Sequence, residues 1–309
     1  MNQDTPNSST KCGFVAVLGA PNAGKSTLVN ALVGSKVSIV TPKAQTTRTI
    51  VRGIALYGQS QVVFLDTPGI FQAKKRIERA MVAAAWSGAG DADVVLIVVD
   101  AAKESRSREL TPDNARIIAD IEKSGRKALL ALNKVDIAEK SGLLDLTVRL
   151  NSTGIFSEVF MVSALTGDGL DKVREYLADS VRPGPWMFPA DETSDMPLRL
   201  LATEITREKL FLRLRQELPY SCAVDVEQWE ERKDGSVRID QVIFVARENH
   251  RPIVLGHGGQ TIKAIGASAR AELEKLLGRR VHLFLHVKVN ERWGEERSFY
   301  AAWGLDFNA

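Results

Sequence analysis

The chain has 309 residues, a net charge of +3 and an ordinary globular composition, with 44% hydrophobic and 26% charged residues. This length predicts about two domains, each with its own core. The two cysteines, Cys12 and Cys222, are too few for a disulfide framework or a cysteine-rich zinc site, which favours a reducing, cytoplasmic compartment. No apolar run reaches the ~20 residues that span a bilayer, and no secretory signal is recognisable. We expect residues 1–11 to form a disordered tail.

Residues 12–181 alternate short apolar runs with amphipathic stretches. The predicted strands are 14–19, 49–58, 61–66, 93–100, 127–133 and 156–164. The predicted helices are 25–33, 77–87, 112–123, 140–152 and 169–181. The runs 93–100 and 127–133 are apolar nearly throughout, as burial on both faces of a sheet requires. The pattern predicts an α/β domain with a mostly parallel sheet and helices on both faces.

A proline-rich segment, 182–197, is predicted to be a linker. Proline ends helices, and because it has no backbone N–H it cannot donate the hydrogen bonds that join strands. Residues 198–309 then form a smaller α+β domain with a three-stranded sheet. Its predicted elements begin with a helix over 198–217, with 201, 205 and 212 on its apolar face, and strands over 221–229 and 236–246. A strand-like apolar stretch precedes Gly256, a glycine-interrupted segment over 254–266 opens a helix, and a helix over 267–278 and a strand over 281–289 follow. On that last strand, Phe284 is expected to pack against the helices, with base stacking as the alternative.

The segment GAPNAGKS (19–26) fits the pattern G-x-x-x-x-G-K-[ST], follows an apolar strand and opens a helix. Such a loop points backbone N–H groups and a helix N-terminus at phosphate oxygens. Lys25 would reach the β- and γ-phosphates, and the Ser26 hydroxyl would bind Mg²⁺. A plain glycine turn is the alternative, which this context disfavours. The predicted nucleotide contacts here are Gly19, Ala20, Pro21, Asn22, Ala23, Gly24, Lys25, Ser26 and Thr27.

Three further motifs follow predicted strands. In DTPG (66–69), Asp66 can hold Mg²⁺ through water and the Gly69 N–H can contact the γ-phosphate, with Thr67 and Pro68 completing the loop. In NKVD (133–136), the Asp136 carboxylate matches the N1–H and amino group of guanine, a donor pair that adenine lacks. Asn133 and Lys134 would brace that loop and stack along the base; a helix N-cap is the alternative for Asp136. The backbone of Ser163, Ala164 and Leu165 would face guanine O6.

These motifs, in this order at strand ends, resemble the translation-factor class of P-loop GTPases. The segment KAQTTRT (43–49) resembles the switch of the Era family of ribosome-assembly GTPases, and the resemblance covers about residues 12–306. It implies that Thr47 ligates Mg²⁺ in the triphosphate state, with Thr46 as the rival.

The resemblance also bears on hydrolysis. The implied catalytic residues are Lys25, Thr47, Gly69 and Asn22. Asn22 is in addition a candidate K⁺ ligand, with loop bracing as the alternative. Ile70 stands where Ras-like proteins carry a water-positioning glutamine, so we expect slow intrinsic hydrolysis.

The segment GHGG (256–259) fits the G-x-x-G loop of KH domains, which clamps about four nucleotides. A simple turn is the alternative. Residues 247–280 hold seven Lys/Arg against three acidic residues, a local basic patch. His257 stands where KH loops often carry a lysine, which weakens the loop charge at neutral pH. The predicted RNA contacts are Gly256, His257, Gly258, Gly259, Lys263, Arg247, Arg251 and Arg270.

A P-loop GTPase followed by a type II KH domain is the pairing found in the Era family. The resemblance implies GTP and GDP as ligands, Mg²⁺ as cofactor, and binding of the KH domain to small-subunit (16S) rRNA near its 3′ end. It implies a monomeric cytoplasmic protein that assists assembly of the 30S ribosomal subunit. It extends to peripheral attachment to the cytoplasmic face of the inner membrane, for which the chain offers no convincing anchor. The alternative is a GTPase whose second domain serves protein contacts in signalling or cell-cycle control.

Overall fold

The computed structural model describes residues 10–309. Residues 1–9 of the predicted tail lie outside the described part, and the first strand begins at Lys11. The chain divides into two compact units. The first comprises the residues up to Ser38, Thr47–Asp195 and Trp303–Ala309, and the second comprises Ile39–Thr46 and Met196–Ala302. Each unit therefore contains a short segment that is distant in sequence from the rest of it.

The first unit contains the strands and helices predicted for it, with ends that differ by at most four residues. Its strands are β1 Lys11–Leu18, β2 Val51–Tyr57, β3 Ser60–Asp66, β4 Val94–Asp100, β5 Ala128–Asn133, β6 Phe156–Val162 and the two-residue β7 Arg182–Pro183. Its helices are α1 Lys25–Val33, α2 Arg76–Asp91, α3 Ala101–Glu104, α4 Pro112–Ser124, α5 Lys140–Asn151 and α6 Leu170–Ser180. Helix α3 and strand β7 were not predicted.

The sheet of the first unit has the order β2-β3-β1-β4-β5-β6. All neighbours are parallel except β2, which is antiparallel to β3, and β7 pairs antiparallel to β1. Helices α2, α4 and α5 bury apolar residues on one face, and α1 and α6 cover the other. The predicted mostly parallel sheet with helices on both faces is confirmed. Because the parallel strands point the same way, their carboxyl ends place the loops after β1, β3, β5 and β6 at one edge.

The proline-rich segment is held against the sheet of the first unit. The side-chain oxygen of Gln61, on β3, accepts hydrogen bonds from the backbone N–H groups of Met187 and Phe188, and its amide donates to the Phe188 carbonyl. The Ile54 N–H donates to the Thr193 carbonyl. Gln61 is fully buried. Its side-chain amide therefore satisfies backbone N–H and C=O groups of the proline-rich segment that have no strand partner at this point.

The second unit is an α+β domain with the predicted order of elements. These are α7 Leu198–Arg213, β8 Cys222–Glu231, β9 Val237–Val245, α8 Arg251–Leu255, α9 Gln260–Leu277, β10 Val281–Val289 and α10 Arg297–Ala302. The three-stranded sheet has the order β10-β9-β8, with β10 parallel and β8 antiparallel to β9. This is the arrangement of a type II KH domain, so the predicted fold class is confirmed.

Three local predictions for this unit were wrong. The apolar stretch before Gly256 is the short helix α8 rather than strand-like, because a helix-compatible proline at its first turn starts it. Leu212 lies in the last turn of α7 and is exposed, since Leu210, Phe211 and Leu214 fill the core there. Phe284 does not pack on the helices.

Phe284 is 50% exposed on the open face of the sheet, with the Arg238 guanidinium 5.0 Å from its ring centre. The opposite face of β10, which carries Val281 and Val287, supplies the helix-facing residues. Within residues 10–309, the structure contains no helix both long and apolar enough to cross a membrane.

Candidate nucleotide site and RNA-binding loop

The loop between β1 and α1 has a backbone that glycine makes possible. A Cβ on Gly19 would lie 2.3 Å from the Val98 carbonyl oxygen, and one on Gly24 would lie 2.3 Å from the Asn133 side-chain nitrogen. Asn22 also has a positive φ, 64°, which asparagine tolerates better than most residues. The backbone of the loop is therefore tightly curved where it enters the N-terminus of α1. A curved loop with free N–H groups at a helix N-terminus has the geometry of a phosphate-binding site.

Lys25, the first residue of α1, is buried against this loop. Its Nζ donates hydrogen bonds to the carbonyl oxygens of Gly19, at 3.0 Å, and Ala20, at 3.1 Å. Burial lowers the pKa of Lys25 to about 8, and the negative charge of Asp66 opposes that shift. Burial therefore makes the protonated form of Lys25 unfavourable in the folded protein. An anion bound beside Lys25 would favour the protonated amine and would itself be stabilised by its positive charge.

Three oxygen-bearing side chains converge beside Lys25. The Ser26 and Thr47 hydroxyl oxygens are 2.9 Å apart. The Asp66 carboxylate, at the end of β3, is fully buried, and neither of its oxygens has a hydrogen-bond partner in the described part of the chain. Burial raises the pKa of Asp66, while the nearby hydroxyl groups and the positive charge of Lys25 oppose this shift. None of these hydroxyl groups meets the geometry of a hydrogen bond to the carboxylate. Hydroxyl and carboxylate oxygens are the hard donors that Mg²⁺ prefers, so this set fits a magnesium ion.

Of the two threonines considered for magnesium, only Thr47 lies beside Ser26. The Thr46 hydroxyl is 2.6 Å from that of Thr41 and donates to the Lys43 carbonyl at 2.9 Å. Its bonding capacity is therefore used within the loop, whereas the Thr47 hydroxyl points toward the convergent oxygens.

The DTPG loop lies directly on the phosphate-binding loop. A Cβ on Gly69 would lie 3.0 Å from Pro21, so only glycine allows this approach without movement. The Ile70 N–H donates to the Gly19 carbonyl at 3.1 Å, and the Thr67 hydroxyl donates to the Val17 carbonyl at 2.7 Å. Ile70 itself is fully buried, and its apolar side chain cannot orient a water molecule by hydrogen bonding.

Asn133 connects three loops. Its side-chain nitrogen donates to the Ala23 carbonyl at 2.9 Å, and its side-chain oxygen accepts from the Ala164 N–H at 2.9 Å. The Ala164 N–H, expected to face guanine O6, is therefore directed at Asn133. Ser163 is fully buried in the same loop, while the Leu165 side chain is exposed.

The remaining NKVD residues flank this brace. Lys134 has a φ of 67° and donates to the Asn22 carbonyl at 2.8 Å and to Asp100 at 2.6 Å. Asp136 lies inside the 3₁₀ turn Val135–Ile137 with its carboxylate exposed. The alternative of a helix N-cap at Asp136 is wrong, because helix α5 begins four residues later and its N-cap is Glu139.

Sequence reasoning missed Asp100. It ends β4, pairs with Lys134 and accepts a hydrogen bond from the Lys103 N–H at the start of α3. Its position at the end of a buried apolar run, at the same sheet edge as the motifs, is the signal that could have identified it.

In the second unit, the GHGG loop joins α8 to α9 and has three glycines with positive φ: Gly256, Gly258 and Gly259. A Cβ on Gly256 would lie 2.2 Å from the Thr261 hydroxyl oxygen, whereas one on Gly258 meets open space. Gly259 is the N-cap of the 18-residue helix α9. The loop is open and glycine-lined at a helix N-terminus, which permits close approach of a phosphate backbone.

The predicted RNA contacts around this loop are exposed. They are His257, Lys263, Arg247, Arg251 and Arg270. Arg251 has Glu248 at 3.8 Å, but within residues 10–309 no carboxylate lies within ion-pair distance of Arg247, Lys263 or Arg270. Arg279, by contrast, is held by Glu231 through both guanidinium nitrogens. The basic charge near the loop is thus largely uncompensated.

The fold and this site define a class of protein, a P-loop GTPase domain followed by a KH domain. Two family models match, described as "50S ribosome-binding GTPase" over residues 14–134 and "KH domain" over residues 217–294. The GTPase Era of Maricaulis maris is 52% identical over 99% of each chain. That of Brucella suis is 54% identical over 98% of this chain and 96% of its own. The chain belongs to the Era GTPase family, whose members are GTP hydrolases.

Two solved structures share this fold along nearly the whole chain. A variant of Aquifex aeolicus Era bound to GDP·AlF₄⁻ has a TM-score of 0.88 and 38% identity. Era in complex with MgGDPNP and nucleotides 1506–1542 of 16S ribosomal RNA has a TM-score of 0.89 and 38% identity. Each match covers 96% of this chain and 99% of the other. The predicted family and GTPase activity are confirmed.

Proposed function

We propose that the chain is a GTP-dependent switch that binds small-subunit (16S) rRNA near its 3′ end through its KH loop and assists assembly of the 30S subunit. The observation that carries the nucleotide half is the buried, unpartnered Asp66 carboxylate beside the Ser26 and Thr47 hydroxyls. The RNA half is supported by the open, basic GHGG loop and by the relative solved with a 16S rRNA fragment.

Magnesium would be held directly by Ser26 and Thr47 and through water by Asp66. Bound there, Mg²⁺ neutralises charge on the β- and γ-phosphates. Lys25 exchanges its two carbonyl partners for phosphate oxygens, whose negative charge favours the protonated amine. Gly69, whose lack of a side chain allows its close approach to Pro21, would contact the terminal phosphate through its backbone N–H. These five residues bind and orient the nucleotide and its metal ion; none of them is assigned as a general base.

Hydrolysis should be slow without help. The position after DTPG holds the buried Ile70, so the chain itself supplies no glutamine there to orient the attacking water. We assign Asn22, exposed at the tip of the phosphate-binding loop, as a K⁺ ligand that supplies positive charge near the phosphates. Turnover in KCl should exceed turnover in NaCl at equal ionic strength. Equal rates in the two salts, with normal GDP affinity, would remove potassium from the proposal.

Guanine selection is assigned to Asp136, whose exposed carboxylate lies at the sheet edge beside Lys134 and Asn133. Asp136→Asn converts one acceptor oxygen into a donor, which mismatches the guanine N1–H and amino group and favours xanthine. We expect GTP affinity to fall and XTP affinity to rise in competition assays. An unchanged preference for GTP over XTP and ATP would refute this assignment.

RNA binding is tested by filter binding of a 3′-terminal 16S rRNA oligonucleotide in the presence of GDP or of a non-hydrolysable GTP analogue. The double substitution Gly258→Asp and Gly259→Asp places two carboxylates in the loop, where the structure leaves space for them. Gly235→Asp is the matched control, since Gly235 also has a positive φ and open surroundings in the same unit. We expect the loop variant alone to lose RNA. Equal RNA retention by both variants would refute RNA binding through the GHGG loop.

A monomeric state and peripheral membrane attachment stay predictions. Light scattering of the full chain tests the first, with a mass other than 33.9 kDa contradicting it. Cosedimentation with vesicles of anionic lipid tests the second, and no difference between anionic and neutral vesicles would contradict it.

A further inference from the structure

Helix α7 of the second unit holds the segment that leads to Thr47. We call residues 39–46 the switch segment; it belongs to the second unit together with α7. The Val40 N–H donates to the Glu208 carboxylate at 2.9 Å. The Lys43 amine donates to the Phe211 carbonyl and, at 2.5 Å, to the Leu214 carbonyl. A lysine bound to carbonyls at a helix C-terminus also interacts favourably with the helix dipole.

Arg207 of α7 contacts the residue that directly precedes Thr47 in the sequence. Its guanidinium donates to the Thr46 carbonyl oxygen at 2.5 Å. That carbonyl belongs to the peptide bond linking Thr46 to Thr47, the bond at which the chain passes into the first unit. Fixing its oxygen fixes the orientation of the peptide plane and therefore restricts where the Thr47 side chain can point.

Stability alone does not account for Arg207. The side chain is 1% exposed and pairs with Glu204 one turn earlier, yet its Nη1 has no hydrogen-bond partner in the described part of the chain. A buried ion pair is often replaced by apolar packing without loss of stability, and an unpaired buried donor is costly. What the ion pair with Glu204 adds, beyond stability, is a fixed guanidinium group that donates a hydrogen bond to the Thr46 carbonyl oxygen.

A second set of contacts restrains the other side of Thr47, within the first unit. The Thr49 hydroxyl donates to the Trp303 carbonyl at 2.6 Å, and the Arg48 guanidinium lies 5.5 Å from the centre of the Trp303 ring. Arg48, Thr49 and Trp303 are all buried. Thr47 is therefore restrained on both sides by residues from the C-terminal part of the sequence.

We propose that Arg207 and Trp303 are positioning residues for Thr47: they hold it in the orientation that ligates Mg²⁺ with GTP, so that affinity for the triphosphate depends on residues outside the nucleotide motifs. This rests on the proposed role of Thr47 as a magnesium ligand. Because coupling is reciprocal, binding of Mg²⁺·GTP stabilises the docking of the switch segment on α7, the first helix of the KH-containing unit.

The test uses the full chain and two ligands. GDP affinity should not depend on Thr47, whereas affinity for a non-hydrolysable GTP analogue should, in a manner that varies with Mg²⁺ concentration. Glu204→Gln with Arg207→Met removes both buried charges together, so no lone charge remains. Thr49→Val removes the hydroxyl donor and keeps the shape of the side chain. Arg238→Met, in the partly buried Arg238–Asp240 pair of the second unit, is the matched control.

We expect the first two variants to bind GDP within twofold of the parent, to bind the analogue about tenfold more weakly, and to require more Mg²⁺ for half-maximal binding. Arg207→Lys, which keeps a charged donor, should restore part of the loss. Arg238→Met should behave like the parent.

Thr47→Ala separates the two possible failures. If it binds the analogue like the parent, the proposed magnesium role of Thr47 is wrong and this inference loses its premise. If Thr47→Ala weakens the analogue but Thr49→Val and the double variant do not, the positioning inference is overturned. If the double variant fails to fold, as judged by lost GDP binding, Thr49→Val decides the outcome by itself.

Discussion

Replacing Lys25 by methionine should change how the stability of the nucleotide-free protein depends on pH. Burial against the phosphate-binding loop lowers the pKa of this lysine from 10.5 to about 8. Between those two pH values the unfolded chain holds a proton on Lys25 that the folded chain has released. The free energy of unfolding therefore rises with pH across this window, and the charged amine destabilises the folded protein below pH 8.

The magnitude follows from the pKa difference. A lowering from 10.5 to about 8 corresponds to about 3 kcal/mol between the fully protonated and fully deprotonated limits. Between pH 7 and pH 10, which spans most of the window, about 2 to 3 kcal/mol of it should be visible. Methionine has no charge to penalise, but it leaves the carbonyls of Gly19 and Ala20 without their donor, a cost of about 1 kcal/mol each at every pH.

The measurement is urea denaturation of the parent and of Lys25→Met, both stripped of nucleotide, at pH 7, 8, 9 and 10. Other groups titrate in both proteins, so the difference between their unfolding free energies isolates Lys25. We expect the variant to match or exceed the parent at pH 7 and to fall behind it by pH 10. Saturating GDP should stabilise the parent far more than the variant. A difference that is flat with pH would refute the buried, charge-penalising environment assigned to this lysine.

Four further substitutions test the packing described above by urea denaturation. Gly256→Ala places a Cβ 2.2 Å from the Thr261 hydroxyl oxygen and should lower the free energy of unfolding by at least about 2 kcal/mol. Gly258→Ala places its Cβ in open space and should lower it by about 1 kcal/mol, because only the positive φ is unfavourable. Equal losses in the two variants would contradict this. Asn133→Ala removes two buried hydrogen bonds and should cost about 2 to 4 kcal/mol, and a loss below 1 kcal/mol would show that the brace matters little. Phe284→Ala should cost less than about 1 kcal/mol, whereas the loss expected if Phe284 packed on the helices is about 3 to 5 kcal/mol.

The nucleotide site could be predicted because its geometry is encoded locally. The phosphate-binding loop needs positive φ at Gly24 and close approach at Gly19, and a short sequence pattern records both. The apolar runs of β4 and β5 showed burial on both faces, which placed the motifs at the ends of parallel strands. Local pattern and sheet topology together were sufficient to bring these motifs to one edge of the sheet, although Asp100 at the same edge was missed.

The polar side of helix α7 could not be understood from its sequence. Glu204, Arg207 and Glu208 look like the solvent-facing side of an amphipathic helix, yet all three are buried. Their partners Val40 and Thr46 lie more than 150 positions earlier in the chain, and no periodicity records a contact of that range. Phe284 is a different case, because the alternation along β10 places it among His282, His286 and Lys288, opposite the apolar face that the helices cover. The strand pattern was therefore a better guide to its position than its aromatic side chain.

The four passages of the chain between the units have a practical consequence. A polypeptide cut at the proline-rich segment does not yield two self-sufficient halves. The N-terminal piece would keep residues 39–46 while losing the helix that receives them, and it would lack residues 303–309, which belong to its own fold. The nucleotide cycle is therefore best measured on a polypeptide that keeps residues 39–46 together with helix α7 and also keeps residues 303–309.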